Sequence, residues 1–505
     1  MVSEAPPGQR TPNAIEMIEG TDLFQGVEVL DVRGDLPKTV DGLVCDSRLV
    51  KPGDAFVALR GAASDGHRFL ADVAGRDACV AVVEEYGDAA LPQVRVADAL
   101  ASLPVLAANY YRHPAKAMNL IGVTGSNGKT TTTYLLEQIY QQMGEPIAVI
   151  GTIEYRYQDF RQDAQTTTPL AHEMQRVLRE IADRGCARAA MEVSSHGLAL
   201  HRVDGLEFQS AVFTNLSQDH LDFHHTMNDY RETKKRLFSE FLAKDGTAVF
   251  NLDDETGRRF ADELKSVAQL NIAIERPADI QAQELDIRLE GTRFTLRFPN
   301  ASFDVLTPLQ GRHNVYNILC AVAAASSQGA GPAHLAQCVE QFRAAPGRLE
   351  QVENGIGALV VVDYSHTPDA LEKCLETLNA VPHQRILTVF GCGGDRDRGK
   401  RPLMGAIALR LSDKTFVTSD NPRTEDPQAI LDDIVAGMTG AGESVVIADR
   451  DQAIRAAVEE LQAGDILLIA GKGHETYQIL GREKIHFDDR EAARAHLLDL
   501  GKGAA

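Results

Sequence analysis

The stretch that most limits the fold of this chain is residues 120–133, which read L-I-G-V-T-G-S-N-G-K-T-T-T-T. Its apolar start predicts a buried strand, and after it Leu135, Ile139 and Met143 recur every four residues, as on one face of a helix. A strand, a Gly-rich turn, Lys-Thr and a helix form the layout of a phosphate-binding loop. In such a loop backbone N–H groups and the helix N-terminus hold phosphate oxygens, the lysine reaches the terminal phosphates, and a hydroxyl ligates magnesium.

The loop departs from the general phosphate-loop pattern at one position. Val123 stands where that pattern has its first glycine, so Gly125, Gly128, Lys129 and Thr130 carry the match. A bare G-x-x-G-K-T also fits an ordinary strand–helix turn, and on these residues alone both interpretations stay open. A nucleotide site therefore needs support from the remainder of the chain.

Composition bounds the class of protein. With 505 residues the chain has room for three or four domains, and 44% hydrophobic with 24% charged residues is typical of globular domains. No apolar run approaches the roughly 20 residues that span a bilayer, and the N-terminus has no apolar signal core. A formal net charge of −21 argues against nucleic-acid binding, which needs a basic face. Seven cysteines without a C-x-x-C pair indicate free thiols in a reducing compartment, so we expect a cytoplasmic protein.

Two punctuated segments divide the chain. H-P at 113–114 predicts a linker, and A-P-G-R at 345–348 predicts a second boundary. We therefore expect an α/β protein of three domains, at 1–115, 116–345 and 346–505. The first is a small α/β domain, the second a phosphate-loop domain with a parallel sheet, and the third a Rossmann-like sheet.

Alternating strands and helices follow the phosphate loop. Apolar runs at 147–150, 189–193 and 211–213, with a helix at about 170–182, predict a parallel sheet with crossovers. Ligands of such sheets bind beyond the carboxyl ends of the strands. Those ends are therefore where functional side chains are expected.

Glu192 and His220 come at or after the ends of two of these strands, at the edge that carries Lys129 and Thr130. Oxygen-rich groups beside a phosphate loop suit a hard cation such as Mg²⁺. Each residue alone also fits a hydrogen-bonded loop position. Together at one edge they predict metal ligation.

The C-terminal third alternates again. After a strand-rich region with alternation at 287–298, and helices from 311 to about 327 and at about 333–343, strands are predicted at 359–362, 386–390, 415–418, 445–447 and 466–470. These strands run into polar or Gly-rich residues, which predicts an open sheet with a polar rim. No G-x-G-x-x-G follows a strand, which argues against a redox dinucleotide site.

Six motifs occur in one order: T-G-S-N-G-K-T-T-T, M-E-V-S-S-H, T-N-L-x-x-D-H-L-D, G-R-H-N-V-Y-N, A-P-G-R-L-E and D-Y-S-H-T-P-D-A-L. Together they resemble the Mur ligases, the ATP-dependent amide ligases of peptidoglycan precursor synthesis. The resemblance covers nearly the whole chain, from about Leu43 to His486. The family's loop itself lacks the early glycine, so Val123 fits. D-N-P-R at 420–423 resembles the signature of members that add diaminopimelate, and G-K-G-H-E at 471–475 also matches.

The resemblance implies a ligase that adds meso-2,6-diaminopimelate to the γ-carboxyl of D-glutamate in UDP-N-acetylmuramoyl-L-alanyl-D-glutamate. The γ-carboxylate would first take the γ-phosphoryl group of ATP, with charge neutralised by Mg²⁺ and Lys129, and the amine would then expel phosphate. ATP is the co-substrate, the partners are these small molecules, and we expect a monomer. The alternatives are a lysine-adding or folylpolyglutamate-type ligase and, from another class, a catalytically silent nucleotide-binding protein.

Site residues carry over position by position from the resemblance. ATP would contact Gly125, Ser126, Asn127, Gly128, Lys129, Thr130, Thr131, Asn314 and Arg348. The UDP-linked substrate would contact Cys45, Ser47 with its neighbours Asp46 and Arg48, Ala62, Ala63, Ser64, Thr166, Thr167, Ser194 and Arg202. Diaminopimelate would contact Arg396, Asp420, Asn421, Pro422, Arg423, Gly471 and Glu475. Arginines suit its carboxylates, which they bind bidentately, and the acidic residues suit its ammonium groups.

Lys234 aligns with a lysine that is carbamylated in the family. A free ammonium would repel Mg²⁺, whereas a carbamate is an anionic oxygen ligand. The resemblance thus implies a metal site of Thr130, Glu192, His220 and Lys234 as carbamate, and catalytic roles for Lys129, Lys234, His220 and Glu192. Lys235 is adjacent and is the alternative; Lys234 is preferred because it lies four residues after Tyr230, as in the family pattern.

Overall fold

A computed structural model gives the structure of the protein and describes residues 17–61 and 64–503. Helices alternate with strands along most of this length, and the larger sheets are built mainly from parallel pairs. The predicted α/β class is confirmed. Within these ranges, no helix combines the length and the apolar character that a membrane span requires.

The chain divides into two compact units. The first ends at Asn271 and also takes in Ala323–Gln328, while the second holds Ile272–Val322 and continues from Gly329. The expected three-domain boundaries stay predictions.

A five-stranded sheet of order β2-β7-β6-β5-β4 forms the start of the first unit. Two of its middle strands, D-A-F-V and V-A-V-V, are buried along their whole length, as expected for strands covered on both faces. The elements of this part are β1 Ile18–Glu19, α1 Gly20–Leu23, β2 Val29–Arg33, β3 Thr39–Val40, β4 Gly42–Val44, β5 Asp54–Val57, α2 Leu70–Ala74, β6 Val80–Val83, β7 Gln93–Val96 and α3 Ala99–Tyr110, with 3₁₀ turns at Ser47–Leu49, Gly66–Phe69 and Pro114–Ala117.

An eight-stranded sheet of order β11-β10-β9-β12-β8-β13-β14-β15 forms the remainder of the first unit. Its elements are β8 Asn119–Thr124, α4 Lys129–Gln142, β9 Ala148–Ile150, β10 Glu154–Tyr157, β11 Phe160–Asp163, α5 Ala171–Asp183, β12 Arg188–Glu192, α6 Ser195–Ala199, β13 Phe208–Phe213, α7 Leu221–His224, α8 Met227–Ser239, β14 Leu242–Phe250, α9 Glu255–Glu263 and β15 Ala268–Gln269.

The predicted parallel sheet with crossovers is confirmed for six strands, which pair in parallel in the order β9-β12-β8-β13-β14-β15. Strands β10 and β11 extend one edge as an antiparallel hairpin that the sequence reading did not anticipate. The short connection from β9 to β10 leaves no room for a crossover helix, so the pairing there is antiparallel. Helix α4 starts at Lys129, directly after the glycine turn, and so includes the whole threonine run.

The second unit contains a four-stranded sheet of order β16-β17-β18-β19 and a six-stranded sheet of order β20-β21-β25-β22-β23-β24. The alternating run at 287–298 covers the end of β17 and all of β18, which pair as an antiparallel hairpin. The elements are β16 Ile272–Ala273, β17 Ile280–Arg288, β18 Gly291–Phe298, β19 Ala301–Thr307, α10 Arg312–Ser327, α11 Pro332–Glu340, β20 Glu350–Val352, β21 Leu359–Asp363, α12 Pro368–Asn379, β22 Ile386–Phe390, α13 Lys400–Leu411, β23 Lys414–Val417, α14 Pro427–Val435, β24 Glu443–Val446, α15 Arg450–Glu460, β25 Ile466–Ala470, β26 Tyr477–Leu480, β27 Glu483–His486 and α16 Asp489–Asp499.

The five strands predicted in the C-terminal third are confirmed as β21 to β25, all parallel in the six-stranded sheet. Strand β25, the last of them in the chain, lies between β21 and β22, and β20 closes one edge in antiparallel orientation. The loops after β21, β22, β23 and β25 therefore meet at one edge of the sheet.

A fully buried ion pair fixes two of these strand ends. Arg450 donates from Nε and Nη2 to the two carboxylate oxygens of Asp489, each at 2.7 Å, and neither side chain is exposed. The same guanidinium donates to the carbonyls of Ala470 (3.0 Å) and Ser419 (3.3 Å). The pair thus holds the last residue of β25 and the loop after β23, both of which lead into candidate site residues.

Breaking this pair is expected to destabilise the second unit strongly. Asp489→Asn leaves the Arg450 charge buried without its counter-ion, which costs about 3–5 kcal/mol in comparable pairs. The free energy of unfolding of the second unit can be measured from the urea dependence of hydrogen exchange at the β25 amides.

Arg455→Met is the matched control, because it removes the half-exposed pair with Glu459 on the same helix, α15. It is expected to change the free energy of unfolding by less than about 1 kcal/mol. The double variant Arg450→Met/Asp489→Leu should recover part of the loss; a loss as large as that of Asp489→Asn would contradict the buried-charge explanation.

Candidate functional site

The phosphate-binding loop takes its shape from Gly125 and Gly128, whose φ angles are +146° and +87°. A Cβ on Gly125 would lie 1.9 Å from Thr214 Oγ1, so no larger residue fits at that position. Thr214 Oγ1 in turn donates to the carbonyl of Asn127 at 2.6 Å. The loop that follows β13 therefore packs directly against the phosphate-binding loop.

Asn215 supports the same loop from its backbone and its side chain. Its carbonyl accepts from the Ser126 N–H at 2.8 Å, and its Oδ1 accepts from the Asn127 N–H at 3.0 Å. Thr131 lies buried in the first turn of α4. These contacts place the predicted loop residues in one preformed turn at a helix N-terminus, the geometry that binds phosphate.

Two lysine amines meet at one carbonyl of this loop. Lys129 Nζ donates to Gly125 O at 2.9 Å and to Ser126 O at 3.0 Å. Lys234 Nζ donates to the same Gly125 O at 3.0 Å, although 109 positions separate the two residues. The structure therefore brings the predicted Lys234 to the phosphate-binding loop.

Burial distinguishes Lys234 from its neighbour Lys235. Lys234 is 1% exposed, with its amine 4.6 Å from the centre of the Tyr230 ring. Desolvation, reinforced by the charge of Lys129, lowers the pKa of Lys234 well below its usual value. Lys235 lies on the other face of α8 and pairs with Glu263 at 2.5 Å. Of these two lysines, it is therefore Lys234 whose amine lies buried beside the loop.

Glu192 lies at the end of β12 as a buried carboxylate, 1% exposed. Its Oε2 accepts from the hydroxyls of Thr130 and Thr152, each at 3.0 Å, and its Oε1 accepts from the Thr152 N–H at 2.9 Å. The predicted pair of Thr130 and Glu192 is thus in direct contact. Thr152, which follows β9, is a third member of this group.

His220 follows β13 with a positive φ of 53°. Its ring packs edge-on against His196, with centroids 5.0 Å apart, and against Tyr230 at 6.0 Å. The Tyr230 hydroxyl shares a hydrogen bond with Ser126 Oγ at 3.1 Å. The Tyr230 side chain therefore connects His220 to the phosphate-binding loop.

The donors at this edge fit Mg²⁺. Thr130 and Glu192 offer hydroxyl and carboxylate oxygens, the ligand types that Mg²⁺ prefers, and a carbamate on Lys234 would add another. Across residues 17–61 and 64–503 no group of three or more His, Cys, Asp and Glu residues forms a complete metal cage. Few protein ligands suit Mg²⁺, which is commonly bound by one or two carboxylates together with substrate phosphates.

The residues predicted for the muramoyl-dipeptide gather around Thr168. Its Oγ1 lies 3.0 Å from Ser194 Oγ, and its carbonyl accepts from Arg202 Nη1 at 2.8 Å and from Thr166 Oγ1 at 2.9 Å. Thr167 Oγ1 lies 3.1 Å from Thr152 Oγ1, which joins this cluster to Glu192. Burial lowers the pKa of Arg202.

Cys45, Asp46, Ser47 and Arg48 form a local turn after β4. The Asp46 carboxylate accepts from the backbone N–H of Arg48 at 3.0 Å and pairs with its guanidinium, and this partner lowers the pKa of Asp46 to about 2. Cys45 Sγ lies 3.7 Å from the Nδ1 of His172 on α5. Burial raises the pKa of the Cys45 thiol to about 12.

The second loop predicted for the UDP end is described only in part. Ser64 accepts from the Gly61 N–H through its carbonyl at 2.9 Å. Ala62 and Ala63 lie outside the described residues.

Asn314 and Arg348 belong to the second unit. Asn314 is buried in α10, where its Nδ2 donates to Gln310 O at 2.9 Å. The Arg348 guanidinium lies 5.3 Å from the centre of the Tyr364 ring.

A cleft of about 520 Å³ opens at the polar edge of the six-stranded sheet. Six of the seven residues predicted for diaminopimelate line it: Arg396, Asp420, Asn421, Arg423, Gly471 and Glu475. Pro422 lies between two of them without lining the cleft. The other lining residues include Tyr364, His366, Thr367, Pro368, Gly393, Asp397, Lys400 and Tyr477.

The buried Lys472 side chain contacts two of the cleft residues, Glu475 and Asn421. Its buried ammonium lies 3.4 Å from Glu475 Oε2 and 3.5 Å from Asn421 Oδ1 and also donates to the Tyr477 carbonyl. Asn421 Nδ2 donates to Glu475 Oε2 at 2.9 Å. Burial raises the pKa of the Asp420 carboxyl, and Arg450 and Lys472 oppose that rise.

Arg423 occupies a strained position with φ +53°. Its backbone pairs with the hairpin of β26 and β27, because its N–H donates to Ile479 O at 3.1 Å and its carbonyl accepts from Gly481 at 2.8 Å. Its Nη1 donates to Gly394 O at 2.8 Å, and Arg396, which lines the same cleft, is exposed. The cleft is lined by two guanidiniums, the Lys400 side chain and three carboxylates, and groups of both signs suit a ligand with both ammonium and carboxylate groups.

Sequence reasoning missed five residues that these contacts bring into the site, namely Thr152, Thr168, His366, Lys400 and Lys472. His366 and Lys472 lie inside motifs that the sequence analysis quoted, D-Y-S-H-T-P and G-K-G-H-E, so a residue-by-residue reading of those motifs could have found them. Thr152 and Thr168 follow a predicted strand and precede a predicted helix, where the strand-end rule points, but hydroxyl residues there are too common to single out.

Family models, curated relatives and solved structures all relate this chain to Mur ligases. The chain matches the families described as "Mur ligase middle domain" at residues 123–325 and "Mur ligase, glutamate ligase domain" at residues 347–473. It is 43% identical over 504 residues to a UDP-N-acetylmuramoyl-L-alanyl-D-glutamate–2,6-diaminopimelate ligase of Geobacter metallireducens, covering 95% of this chain and 98% of that protein. The protein of the same name from Gloeobacter violaceus is 45% identical over 472 residues, covering 93% and 96%. A solved structure under this name superimposes with a TM-score of 0.71 at 33% identity and covers 96% of this chain and 100% of that one.

Replacing Gly471 is expected to disrupt the cleft more than the fold. A Cβ there would lie 2.8 Å from Asp420 Oδ2, at a φ of +115°. Gly471→Ala should therefore displace the Asp420 carboxylate and weaken the binding of meso-2,6-diaminopimelate, measured by calorimetry, by about tenfold or more, since about 1.4 kcal/mol suffices for tenfold.

Gly440→Ala is the control, because Gly440 also has a positive φ, +142°, but nothing lies within 4 Å of its Cβ position. Both variants bear the cost of backbone strain, about 1–3 kcal/mol of unfolding free energy. Equal binding by the two variants would contradict the steric role of Gly471.

Proposed function

The chain belongs to the Mur ligase family, and from this premise we propose that it is the ATP-dependent ligase that joins meso-2,6-diaminopimelate to the γ-carboxyl of D-glutamate in UDP-N-acetylmuramoyl-L-alanyl-D-glutamate. The reaction yields the UDP-linked tripeptide, ADP and phosphate and serves peptidoglycan precursor synthesis. The relatives named for this activity align with almost the entire chain. The observation that carries the proposal within the molecule is the cleft at residues 420–423 and 471–475.

The cleft matches the amino acid in charge. Diaminopimelate has two ammonium and two carboxylate groups, and lysine lacks the second carboxylate. Arg396 and Arg423 offer guanidiniums to the carboxylates, and Asp420 and Glu475 offer carboxylates to the ammonium groups. A cleft with two arginines therefore favours the substrate with two carboxylates over lysine.

ATP belongs at the phosphate-binding loop of the first unit. The N–H groups of the first turn of α4 and the Lys129 ammonium face the position of the phosphates in loops of this type. Thr130 and Glu192, together with His220 and the carbamate of Lys234, are the proposed holders of Mg²⁺, which when bound supplies positive charge against the transferring phosphoryl group.

Bond formation follows in two steps. The D-glutamate γ-carboxylate attacks the γ-phosphorus of ATP, so ADP leaves and an acyl phosphate forms. Lys129 stabilises the negative charge that develops on the transferred group. The amine of diaminopimelate then attacks the acyl carbon, and phosphate leaves as the amide forms.

The UDP-linked substrate is assigned to the first unit. The turn at Cys45–Arg48, with Ser64 and the undescribed Ala62 and Ala63, is proposed for its uridine diphosphate end. Arg202 and the hydroxyls of Thr166, Thr167 and Ser194 are proposed for the muramoyl-dipeptide. The bond from Thr167 to Thr152 and onward to Glu192 links that cluster to the side chains around the phosphate loop.

Lys234 is proposed to react with CO₂. Carbamate formation requires a neutral amine, and burial favours the neutral form here because it lowers the pKa of Lys234 well below its usual value. The product replaces a cation beside the loop with an anion, which converts a repulsive group into a ligand.

We further propose that the enzyme works in the cytoplasm, as a monomer, on small-molecule substrates. Its domains are 1–115 for the uridine nucleotide, 116–345 for ATP and 346–505 for the amino acid.

Substrate choice is the first test. Purified protein with ATP, Mg²⁺ and UDP-N-acetylmuramoyl-L-alanyl-D-glutamate is expected to release phosphate on addition of meso-diaminopimelate and not of L-lysine. Arg423→Ala should raise KM for diaminopimelate by about 10- to 150-fold, since a charge-assisted hydrogen bond contributes about 1.5–3 kcal/mol, and should leave KM for ATP unchanged.

Arg482→Ala, in the exposed turn between β26 and β27, is the matched control and should behave as the unaltered protein. Release with lysine alone would assign the chain to a lysine-adding ligase, and no release with any amino acid would favour a silent nucleotide-binding protein.

The carbamate has a direct spectroscopic test. Protein equilibrated with ¹³C-bicarbonate should show one carbamate carbon resonance by NMR, present in Lys235→Ala and absent from Lys234→Ala. The physical reason is that burial lowers the pKa of Lys234 and places its amine beside Gly125, whereas Lys235 lies in an ion pair with Glu263. A carbamate resonance that persists in Lys234→Ala would contradict the assignment of the carbamate to Lys234.

A further inference from the structure

His366 borders the amino-acid cleft and has no part in the function described so far. It follows β21 in the D-Y-S-H-T-P segment and lines the same cleft as Arg396, Asp420 and Glu475. We infer that His366 is a catalytic residue, the base that accepts a proton from the ammonium group destined to form the new amide. The inference rests on the proposed function and concerns its second step.

Amide formation needs a base at this place. Amino acids carry their amines as ammonium ions near neutral pH, and an ammonium has no lone pair with which to attack an acyl carbon. A side-chain base is most effective when its pKa lies near the working pH. Glu475 suits the binding of an ammonium rather than its deprotonation, since its Oε2 already accepts from Asn421 at 2.9 Å and faces Lys472 at 3.4 Å.

The backbone fixes the tautomer of His366. Its Nδ1 lies 2.8 Å from the carbonyl oxygen of Tyr364, and a carbonyl only accepts, so Nδ1 carries the proton. In the neutral ring the lone pair is then on Nε2. The side chain is exposed at the cleft, which leaves Nε2 as the ring's basic atom towards a substrate.

The surroundings keep the ring neutral. The Tyr364 ring covers one side with centroids 4.5 Å apart, and Lys400 Nζ donates to the His366 carbonyl at 2.8 Å. Desolvation, with smaller contributions from the charges of Lys400 and Arg348, lowers the pKa of His366 below its usual 6.5, against the opposing effects of the Tyr364 carbonyl and Asp420. At pH 7 the imidazole is therefore unprotonated and ready to accept.

Other titratable groups around the cleft do not replace it. His474 packs against Tyr364 from the loop after β25, and burial lowers its pKa to about 4. The charged groups that face the cleft from its other loops are Arg396 and Asp397 after β22, Asp420 and Arg423 after β23, and Glu475 after β25. Within this lining, His366 is the only imidazole.

The proton balance of the step is complete. One N–H proton of the ammonium passes to Nε2 of His366, and the freed lone pair forms the C–N bond to the acyl carbon. The C–O bond to phosphate breaks as the tetrahedral adduct collapses, and the second proton lost from nitrogen leaves with hydrogen phosphate. The imidazolium then returns its proton to water.

The test separates the two steps of the reaction. His366→Asn keeps a side-chain N–H donor for the Tyr364 carbonyl but has no basic nitrogen. It should form acyl phosphate at the unaltered rate, measured with ATP and the UDP-linked substrate by hydroxylamine trapping. Its rate of amide formation after addition of meso-diaminopimelate should fall by about 10²- to 10⁴-fold at pH 7, with KM for the amino acid unchanged.

The pH profile and chemical rescue give readouts that a structural role would not move. In the unaltered enzyme amide formation should decline as pH falls through the lowered pKa of His366, because the ring then becomes protonated. In His366→Asn the rate should instead rise with pH towards the pKa of the amine itself. Added imidazole should restore amide formation to His366→Ala.

His383→Asn is the matched control, since His383 also places its Nδ1 on a backbone carbonyl, that of Val381 at 2.6 Å, and does not line the cleft. It should retain the full rate. Amide formation by His366→Asn at the unaltered rate, or a failure of imidazole to rescue His366→Ala, would overturn the inference while leaving the ligase function intact. Absence of acyl phosphate with the unaltered enzyme would instead overturn the proposed function.

Discussion

Parallel strands end at the same edge of their sheet, and this constraint places the chemistry of both units. In the first unit β8, β12 and β13 lie side by side, so the phosphate loop, Glu192 and the Thr214–Asn215 turn meet at one edge. In the second unit the loops after β21, β22, β23 and β25 meet in the same way and enclose the cleft that is proposed for the amino acid. Each sheet therefore collects residues that are far apart in the chain into one small volume.

Burial then decides the charge state of the collected groups. Lys234 is surrounded by protein beside Gly125, and because desolvation disfavours the charged amine, its pKa is lowered well below the usual value. His366 is exposed at the cleft, yet its pKa is also lowered, because desolvation on the side of the Tyr364 ring and the charges of Lys400 and Arg348 disfavour its protonation. Arg450, by contrast, keeps its charge at full burial because Asp489 meets it bidentately, and the strand ends it holds carry the cleft.

Much of this could be predicted from the sequence, with clear physical limits. The parallel strands of the C-terminal sheet were predictable because each is a short run of three to five mainly apolar or β-branched residues followed by polar or Gly-rich ones. The hairpin of β10 and β11 was not predictable, because E-Y-R-Y and F-R-Q-D mix charged with aromatic residues. Strand β10 also depends on a tertiary contact, the ion pair of its Arg156 with Glu137 of helix α4. Thr152 was missed for a related reason, because its contact with Glu192 depends on β9 being the neighbour of β12, and strand order is not written in either segment.

By itself the sequence determined the class of fold, the phosphate loop, the family and the residues at which substrates are expected, because these depend on local periodicity and on short motifs. It favoured Lys234 over its neighbour Lys235 only through the spacing from Tyr230. The tertiary structure gave the two lysines different surroundings, since helix α8 turns one amine into the interior at Gly125 and the other towards Glu263 at the surface. It also gave His366 its proton on Nδ1, through a backbone carbonyl, and set it in a cleft whose other walls come from distant loops. Side-chain burial and partners depend on the packing of the whole unit, so no local pattern could have supplied them.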